Sequence, residues 1–188
     1  MKAKAGIVTG AGLGIGEGIA DGLVRAGAKL AICACGLPVL EQTAEKLPRC
    51  GTEVIVVKAA VSLKSDVEDL VDRTLERFGR IDFLFNNAGI TRRRPSEDFP
   101  EKRWEQVIRV NLRSVFLCSQ PVPRVMIKQG GSRIINTSSL IAVTGGRTLP
   151  AYAASKGGVA QLTKAFANNL AKYNINVNAI GPGWSHPT

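Results

Sequence analysis

The second half of this sequence lacks acidic residues. All 15 Asp and Glu residues of the 188-residue chain lie between Glu17 and Glu105, and the segment from Gln106 to Thr188 carries nine Lys or Arg residues. The formal net charge is +10. Such an asymmetry can mark a face that binds nucleic acid, or the absence of a complementary acidic part of the fold, and no nucleic-acid recognition motif accompanies it. We therefore expect no nucleic-acid partner.

Histidine, cysteine and long apolar runs are also scarce. One histidine (His186) and four cysteines (Cys33, Cys35, Cys50 and Cys118) leave little material for a metal site, so we expect no metal. No apolar run approaches the roughly 18 residues of a membrane span, and Met1–Lys4 leads into Gly6 without a signal-peptide pattern. These absences predict a cytoplasmic protein with no membrane partner.

What is present is an ordinary globular composition with a regular alternation of short and long apolar segments. Hydrophobic residues make up 45% and charged residues 21% of the chain, which predicts one domain over residues 1–188. The predicted strands are Ala5–Thr9, Lys29–Ala34, Glu53–Lys58, Ile81–Phe85, Ser132–Thr137 and Ile175–Ile180. The predicted helices are Gly16–Ala26, Pro38–Leu47, Lys64–Phe78, Pro100–Lys128 and Ala151–Tyr173. The alternation predicts an α/β fold: a doubly wound, Rossmann-type parallel sheet of about six strands with helices on both faces.

A glycine-rich turn follows the first predicted strand. It reads Thr9-Gly10-Ala11-Gly12-Leu13-Gly14-Ile15-Gly16 and leads into the first helix. Glycines at such a turn let the backbone approach a pyrophosphate, whose charge the helix N-terminus stabilises. The alternative is a turn with a structural role alone, but its position between first strand and first helix favours dinucleotide binding.

A tyrosine and a lysine lie four residues apart near the start of the last predicted helix. Tyr152 and Lys156 therefore project from the same helix face. A nearby ammonium stabilises a phenolate and lowers the phenol's pKa from its ordinary value of about 10, which makes the phenol a usable general acid or base. The alternative is an ordinary pair on a helix surface.

Further polar residues fall where the predicted strands end. Ser139 follows the fifth strand, Asn86-Asn87-Ala88-Gly89 follows the fourth, and Asn111 lies inside the long fourth helix. Ligands of open α/β sheets bind at the carboxyl ends of the strands. Turn capping and a helix–strand hydrogen bond are the separate structural alternatives. Because these polar residues fall at the same edge of the predicted sheet, we favour a common site.

Together these residues resemble the short-chain dehydrogenase/reductases, along essentially the whole chain. The resemblance implies that Tyr152 transfers a proton, that Ser139 holds the substrate oxygen, and that Lys156 binds the nicotinamide ribose and tunes the tyrosine. It implies a proton-relay role for Asn111. The implied cofactor-binding residues are Gly10, Gly14, Ile15, Gly16, Asn87, Ala88, Gly89, Tyr152, Lys156, Pro182 and Gly183.

The segments Asn86–Pro95 and Pro150–Lys156 further resemble family members that oxidise gluconates. The implied reaction interconverts a secondary alcohol and a ketone on a gluconate-like, small-molecule sugar acid. Arg92 or Arg93 suits its carboxylate, because a guanidinium binds carboxylates in a bidentate manner; the alternative is a solvated basic loop. Reduction of 3-oxoacyl groups on an acyl carrier protein is the alternative activity.

The sequence departs from the family pattern in three places. The stretch Ile32–Gly36 has neither the acid typical of NAD binding nor an arginine for NADP, which leaves NADP or NAD with a slight preference for NADP. Ala60 stands where an adenine-contacting aspartate is usual. The chain also stops soon after the sixth strand, so we expect a C-terminally truncated member without the final strand and substrate lid. An inactive nucleotide-binding fragment is then an alternative, and the resemblance implies a homodimer or homotetramer.

Overall fold

The computed structural model describes residues 1–48 and 51–183, so that Cys50 and His186 lie outside the described residues. The strands are β1 (Ala5–Thr9), β2 (Lys29–Ala34), β3 (Val54–Lys58), β4 (Phe83–Asn86), β5 (Ser132–Thr137) and β6 (Ile175–Ile180). They form a parallel sheet in the order β3-β2-β1-β4-β5-β6. The predicted doubly wound α/β fold is confirmed.

Helices connect the strands on both faces of the sheet. They are α1 (Gly14–Arg25), α2 (Leu37–Lys46), α3 (Lys64–Phe78), α4 (Glu101–Ile108), α5 (Ser114–Cys118), α6 (Pro121–Lys128), α7 (Ile141–Thr144) and α8 (Pro150–Leu170). A π-helical segment, Arg109–Arg113, lies between α4 and α5. Short 3₁₀ turns cover Ser96–Asp98 and Ala171–Tyr173.

The prediction of one helix over Pro100–Lys128 is wrong. The segment divides into α4, the π-helical segment, α5 and α6. The break before α6 falls at Pro121, which has no N–H for a helical hydrogen bond and is tolerated in a first turn. The apolar spacing continues across this break, so periodicity alone does not reveal it.

The fourth strand begins two residues later than predicted, at Phe83. The reason is the side chain of Gln129, which takes the place of a neighbouring strand at Ile81. Its Oε1 accepts a hydrogen bond from the Ile81 amide at 2.9 Å, and its Nε2 donates to the Ile81 carbonyl at 2.8 Å.

Both faces of the sheet bury apolar side chains. On one face, Ile7, Leu84 and Ile134 pack with side chains of α3, α5, α6 and α8. On the other, Val8 and Ile32 pack with side chains of α1 and α2. Strands covered on both sides explain the continuous apolar runs of the sequence. The same order places the crossover direction change between β1 and β4, where a crevice opens at the carboxyl edge.

The described residues show neither a membrane-spanning helix nor a cluster of metal-ligating side chains. Over residues 1–48 and 51–183, no helix has the length and apolar character needed to cross a membrane. In the same ranges, no three His, Cys, Asp or Glu side chains gather as metal ligands would. The cytoplasmic location stays a prediction.

Candidate active site

The glycine turn lies at the carboxyl end of β1 and leads into α1. Gly10 and Gly14 both have left-handed backbones, with φ of 64° and 57°. A Cβ at Gly16 would lie 2.1 Å from the Gly10 carbonyl oxygen, so only glycine lets α1 begin this close to the strand. Beyond its chain neighbours and the adjacent helix backbone, no atom of residues 1–48 and 51–183 lies within 4 Å of the position of a Cβ at Gly14, so space is open there.

Thr9 joins this turn to the one that follows β4. Its hydroxyl accepts hydrogen bonds from the amides of Asn87 at 3.0 Å and Ala88 at 3.1 Å. The Asn87 side chain donates in turn to the Gly10 carbonyl at 3.1 Å. A Cβ at Gly10 would lie 2.7 Å from the Ala88 Cα. The two turns therefore form one packed unit at the crevice.

Asn111 lies in the π-helical segment and is 1% exposed. Its Oδ1 accepts from the Ile90 amide at 2.8 Å, and its Nδ2 donates to the Ile90 carbonyl at 2.9 Å. The Nδ2 also donates to the Ser155 hydroxyl at 3.1 Å, and that hydroxyl donates to the Tyr152 carbonyl. A single amide therefore connects the loop after β4 with the helix that carries Tyr152 and Lys156. Local π-helical geometry is frequent at functional sites.

Lys156 is a buried cation with a lowered pKa. Its ammonium lies 5.7 Å from the centre of the Tyr152 ring and donates to the Thr137 carbonyl at 2.6 Å. Burial lowers the pKa of Lys156 to about 8, because the interior disfavours the charged form. An ammonium has three donors, and Thr137 takes one. The remaining capacity suits a ligand in the cavity that Lys156 lines.

The predicted catalytic tyrosine, serine and lysine line one cavity of about 320 Å³ at the carboxyl edge of the sheet. Ser139 accepts a hydrogen bond from the Ile141 amide at 3.2 Å, which leaves its hydroxyl proton available for donation. Other predicted site residues in the lining are Ile15, Asn87, Gly89, Arg93, Pro182 and Gly183. Gly10 and Ala88 line a neighbouring cavity, and Gly14 and Gly16 lie in the first turn of α1. Asn111 contacts the site through Ile90 and Ser155.

The two candidate carboxylate ligands differ in position. Arg93 is in the cavity lining, whereas the Arg92 guanidinium donates to the carbonyl of Thr91 at 2.9 Å. The geometry favours Arg93 of the two.

The neighbouring cavity, of about 170 Å³, extends from the glycine turn over the ends of β2 and β3. Ala34, Cys35, Ala59 and Ser62 are in its lining. This apolar cleft lies beside the glycine turn, at the carboxyl ends of the strands, where ligands of open α/β sheets bind. No charged side chain of the described residues lines it, in keeping with the uncharged stretch after β2.

Sequence reasoning missed a buried polar network beneath the site. The Asn86 amide donates to Asn136 Oδ1 at 2.8 Å, and the Asn136 amide donates to the Thr163 hydroxyl at 2.9 Å. Ser138 also donates to the Lys156 carbonyl at 2.9 Å. These bonds join β4, β5 and α8. Polar residues at the ends of apolar strands were the available signal, but sequence does not show which ones face each other.

A doubly wound sheet with a glycine turn, a tyrosine–lysine pair and a serine at one cavity defines a nucleotide-dependent oxidoreductase. The profile of the short chain dehydrogenase family matches residues 4–188. The chain therefore belongs to the short-chain dehydrogenase/reductase family.

Relatives and solved structures agree with this assignment. The chain is 41% identical over 187 residues to a 2-dehydro-3-deoxy-D-gluconate 5-dehydrogenase of Dickeya dadantii, covering 98% of this chain and 72% of that protein. It is 39% identical over 178 residues to a 5-keto-D-gluconate 5-reductase of Escherichia coli, covering 95% and 70%. The crystal structure of an NAD⁺-bound xylitol dehydrogenase superposes with a TM-score of 0.97 at 37% identity, covering 100% and 72%.

Proposed function

We propose that this oxidoreductase interconverts a secondary alcohol and a ketone on a gluconate-like sugar acid. The observation that carries the proposal is the convergence of Tyr152, Ser139 and Arg93 on one cavity. This cavity combines groups for proton transfer and for carboxylate binding. The gluconate-related activities named for two relatives support the substrate class.

Each polar residue at the cavity has a chemical role in the proposal. Ser139 donates its hydroxyl proton to the substrate oxygen at the reacting carbon. Tyr152 takes the alcohol proton during oxidation and returns it during reduction. The buried Lys156 ammonium stabilises the phenolate form of Tyr152 across a ring-to-ammonium distance of 5.7 Å. The nicotinamide, when bound, accepts or supplies the hydride.

Asn111 acts in this proposal through the groups it holds. Both of its N–H donors are used, by Ile90 and Ser155, and its oxygen accepts a hydrogen bond from the Ile90 amide. A direct contact between this amide and the substrate is therefore not needed. Asn111 contributes to the proton relay by holding the loop after β4 and the start of α8 in fixed positions. The groups that contact water and substrate then keep the same arrangement.

Arg93 gives the proposal its preference for an acid. A guanidinium has five donors in a planar fork that matches a carboxylate. Arg93 lines the same cavity as Tyr152, so an acid bound in this cavity has both groups in its surroundings. Arg92 serves the loop through its bond to Thr91.

The proposed cofactor is NADP or NAD, with little discrimination and a slight preference for NADP. The supporting feature is the uncharged lining after β2, where Ala34 and Cys35 neither repel a 2′-phosphate nor bind it. The NAD⁺ bound by the xylitol dehydrogenase shows that a close structural neighbour takes the unphosphorylated form.

The proposed assembly is a homodimer or homotetramer. An apolar groove of about 460 Å³ supports it, with Leu112, Phe116 and Leu162 in its lining. Phe116 is 42% exposed, an unusual placement for a large apolar ring. Sedimentation velocity tests this assignment, and a monomer at micromolar concentration would contradict it.

The experiment for the activity compares this chain with its Tyr152→Phe variant. Both are assayed with NADP(H) and NAD(H) on a panel of gluconates, ketogluconates, neutral polyols and a 3-oxoacyl thioester. We expect turnover of an acid and a loss of about 10²–10⁴-fold in kcat for the variant, because phenylalanine cannot transfer the proton.

Tyr173→Phe is the matched control, since Tyr173 lies in the 3₁₀ turn at the far end of α8. Equal rates for Tyr152→Phe and the unchanged chain would refute the catalytic assignment. Turnover of the thioester alone would favour the alternative activity, reduction of 3-oxoacyl groups on an acyl carrier protein. Nucleotide binding with no turnover of any substrate would favour the inactive alternative.

A further inference from the structure

Thr148 has an unfavourable backbone conformation four residues before Tyr152. Its φ is 63°, a left-handed value that β-branched residues rarely adopt. It lies in the loop between α7, which ends at Thr144, and α8, which begins at Pro150. Such strain persists where the surrounding structure imposes it, and it concentrates at functional sites.

The strained residue forms a hydrogen bond to the arginine loop. The Thr148 carbonyl accepts from the amide of Arg94 at 3.0 Å. The Thr148 hydroxyl donates to the Arg147 carbonyl at 2.6 Å, a local bond that offsets the cost of the left-handed backbone. The next residue, Leu149, is buried and lines the main cavity, so its packing anchors the turn.

This bond completes a two-point attachment of the loop that carries Arg93. At the start of the loop, Asn111 binds both backbone groups of Ile90. At its end, Thr148 binds Arg94, which is adjacent to Arg93 in sequence. Both attachments lead to α8, because Asn111 also bonds Ser155 on that helix and Thr148 lies two residues before Pro150, where α8 begins.

We propose that Thr148 is a positioning residue that sets the distance between Arg93 and Tyr152 and thereby selects substrates by the separation of carboxylate and reacting carbon. This inference rests on the proposed function, because it takes Arg93 as the carboxylate ligand. The left-handed turn at Thr148 aims its carbonyl at the Arg94 amide. That bond holds the loop next to Arg93, in addition to the attachment that Asn111 makes at Ile90.

The test is a pair of substitutions that differ in their tolerance of positive φ. Thr148→Val keeps the branched shape but loses the hydroxyl bond to Arg147, so the left-handed turn becomes costlier. Thr148→Asn is the matched control, because asparagine adopts left-handed backbones readily and retains a polar side chain. Circular dichroism and thermal melting establish that both variants fold.

Two readouts separate this inference from the proposed function. The first is steady-state kinetics on a sugar acid and on a neutral polyol. We expect Thr148→Val to raise KM for the acid about tenfold with kcat nearly unchanged, and to leave KM for the polyol and for the nucleotide unchanged. Thr148→Asn should match the unchanged chain.

The second readout, hydrogen exchange at the Arg94 amide, needs no substrate. We expect faster exchange in Thr148→Val than in Thr148→Asn, with Ile90 protected in both. Equal exchange at Arg94, or an acid KM unaffected by Thr148→Val, would overturn the inference. If the unchanged chain turns over no acid, the proposed function fails, and the exchange comparison still decides whether Thr148 holds the loop.

Discussion

The amino ends and the carboxyl ends of the strands, here called the amino edge and the carboxyl edge, each carry a buried charge, but the two charges differ in how the protein stabilises them. At the amino edge, Asp82 accepts hydrogen bonds from Lys4, Arg80 and the Ala5 amide. At the carboxyl edge, the Lys156 ammonium donates to the Thr137 carbonyl and lines a cavity. The first charge is satisfied by the protein itself and acts in stability. The second retains capacity for a ligand and reduces stability.

The pKa values of the two groups follow the same division. Burial raises the pKa of Asp82, but the hydrogen bonds from Arg80, Lys4 and Ala5 outweigh burial and leave that pKa below its ordinary value. For Lys156, burial dominates and lowers the pKa to about 8. Partners therefore favour the ionised form at one edge, while desolvation favours the neutral form at the other.

The largest expected effect on stability comes from removing the charge of Asp82 at the amino edge. We expect Asp82→Asn to lower the free energy of unfolding by about 3 kcal/mol at pH 7, since Lys4 and Arg80 lose their shared carboxylate. The partners are half exposed, so the cost falls at the lower end for a broken buried pair. Urea denaturation measures it, with Asp72→Asn, exposed on α3, as the control.

The pH dependence of this difference has a definite sign. A carboxyl with a lowered folded-state pKa contributes stability above its ordinary value of about 3.9 and loses it as the pH falls through the folded-state value. The deficit of Asp82→Asn should therefore shrink below about pH 4. A deficit that stays constant between pH 3 and 7 would contradict the role given to Asp82.

Removing the charge at the carboxyl edge should have the opposite effect on stability. We expect Lys156→Met to abolish turnover and yet raise the free energy of unfolding by about 1–2 kcal/mol at pH 7, because methionine is buried without desolvating a charge. The folded-state pKa of about 8 lies below the ordinary lysine value. The stability of the unchanged chain should therefore rise with pH above 8, and the advantage of the variant should shrink.

Chemical denaturation of Lys156→Met between pH 7 and 10 measures this effect. Lys164→Met is the control, because Lys164 lies exposed on the same helix. A variant less stable than the unchanged chain at every pH would show that Lys156 is held for stability, and the contrast between the two edges would not stand.

The sequence allowed the residues at the carboxyl edge to be predicted as neighbours, but not the ion pairs at the amino edge. Continuous apolar runs identify the buried strands, and residues at strand ends fall at one edge, so Tyr152, Ser139 and Asn87 were predictable as neighbours. The partners of Asp82 were not, because Lys4 is distant in sequence and an acid beside a strand has many possible neighbours.

The misses at the site have a common physical origin. The π-helical segment around Asn111 follows from its bonds to Ile90 and Ser155, which are tertiary contacts that no local pattern records. Local propensity argues against the left-handed backbone of Thr148, and tertiary structure overrides it. Such conflicts between local preference and final structure are expected at functional sites.

A fixed charge added at the carboxyl edge should have the smallest effect, on cofactor choice. Ala34 ends β2, and its Cβ would lie 3.7 Å from a Cβ built at Gly12, so its side chain faces the glycine turn. We expect Ala34→Asp to shift the ratio of kcat/KM for NAD over NADP about tenfold toward NAD, since a carboxylate binds ribose hydroxyls and repels the 2′-phosphate.

Ala34→Asn is the matched control, because it adds similar volume without charge. If charge at Ala34 governs the choice of nucleotide, Asn should move the ratio far less than Asp. The same shift for both variants would mean that shape at Ala34, rather than charge, governs the choice of nucleotide. No shift for either would place the adenosine ribose away from Ala34 and would require a different account of the cavity over β2 and β3.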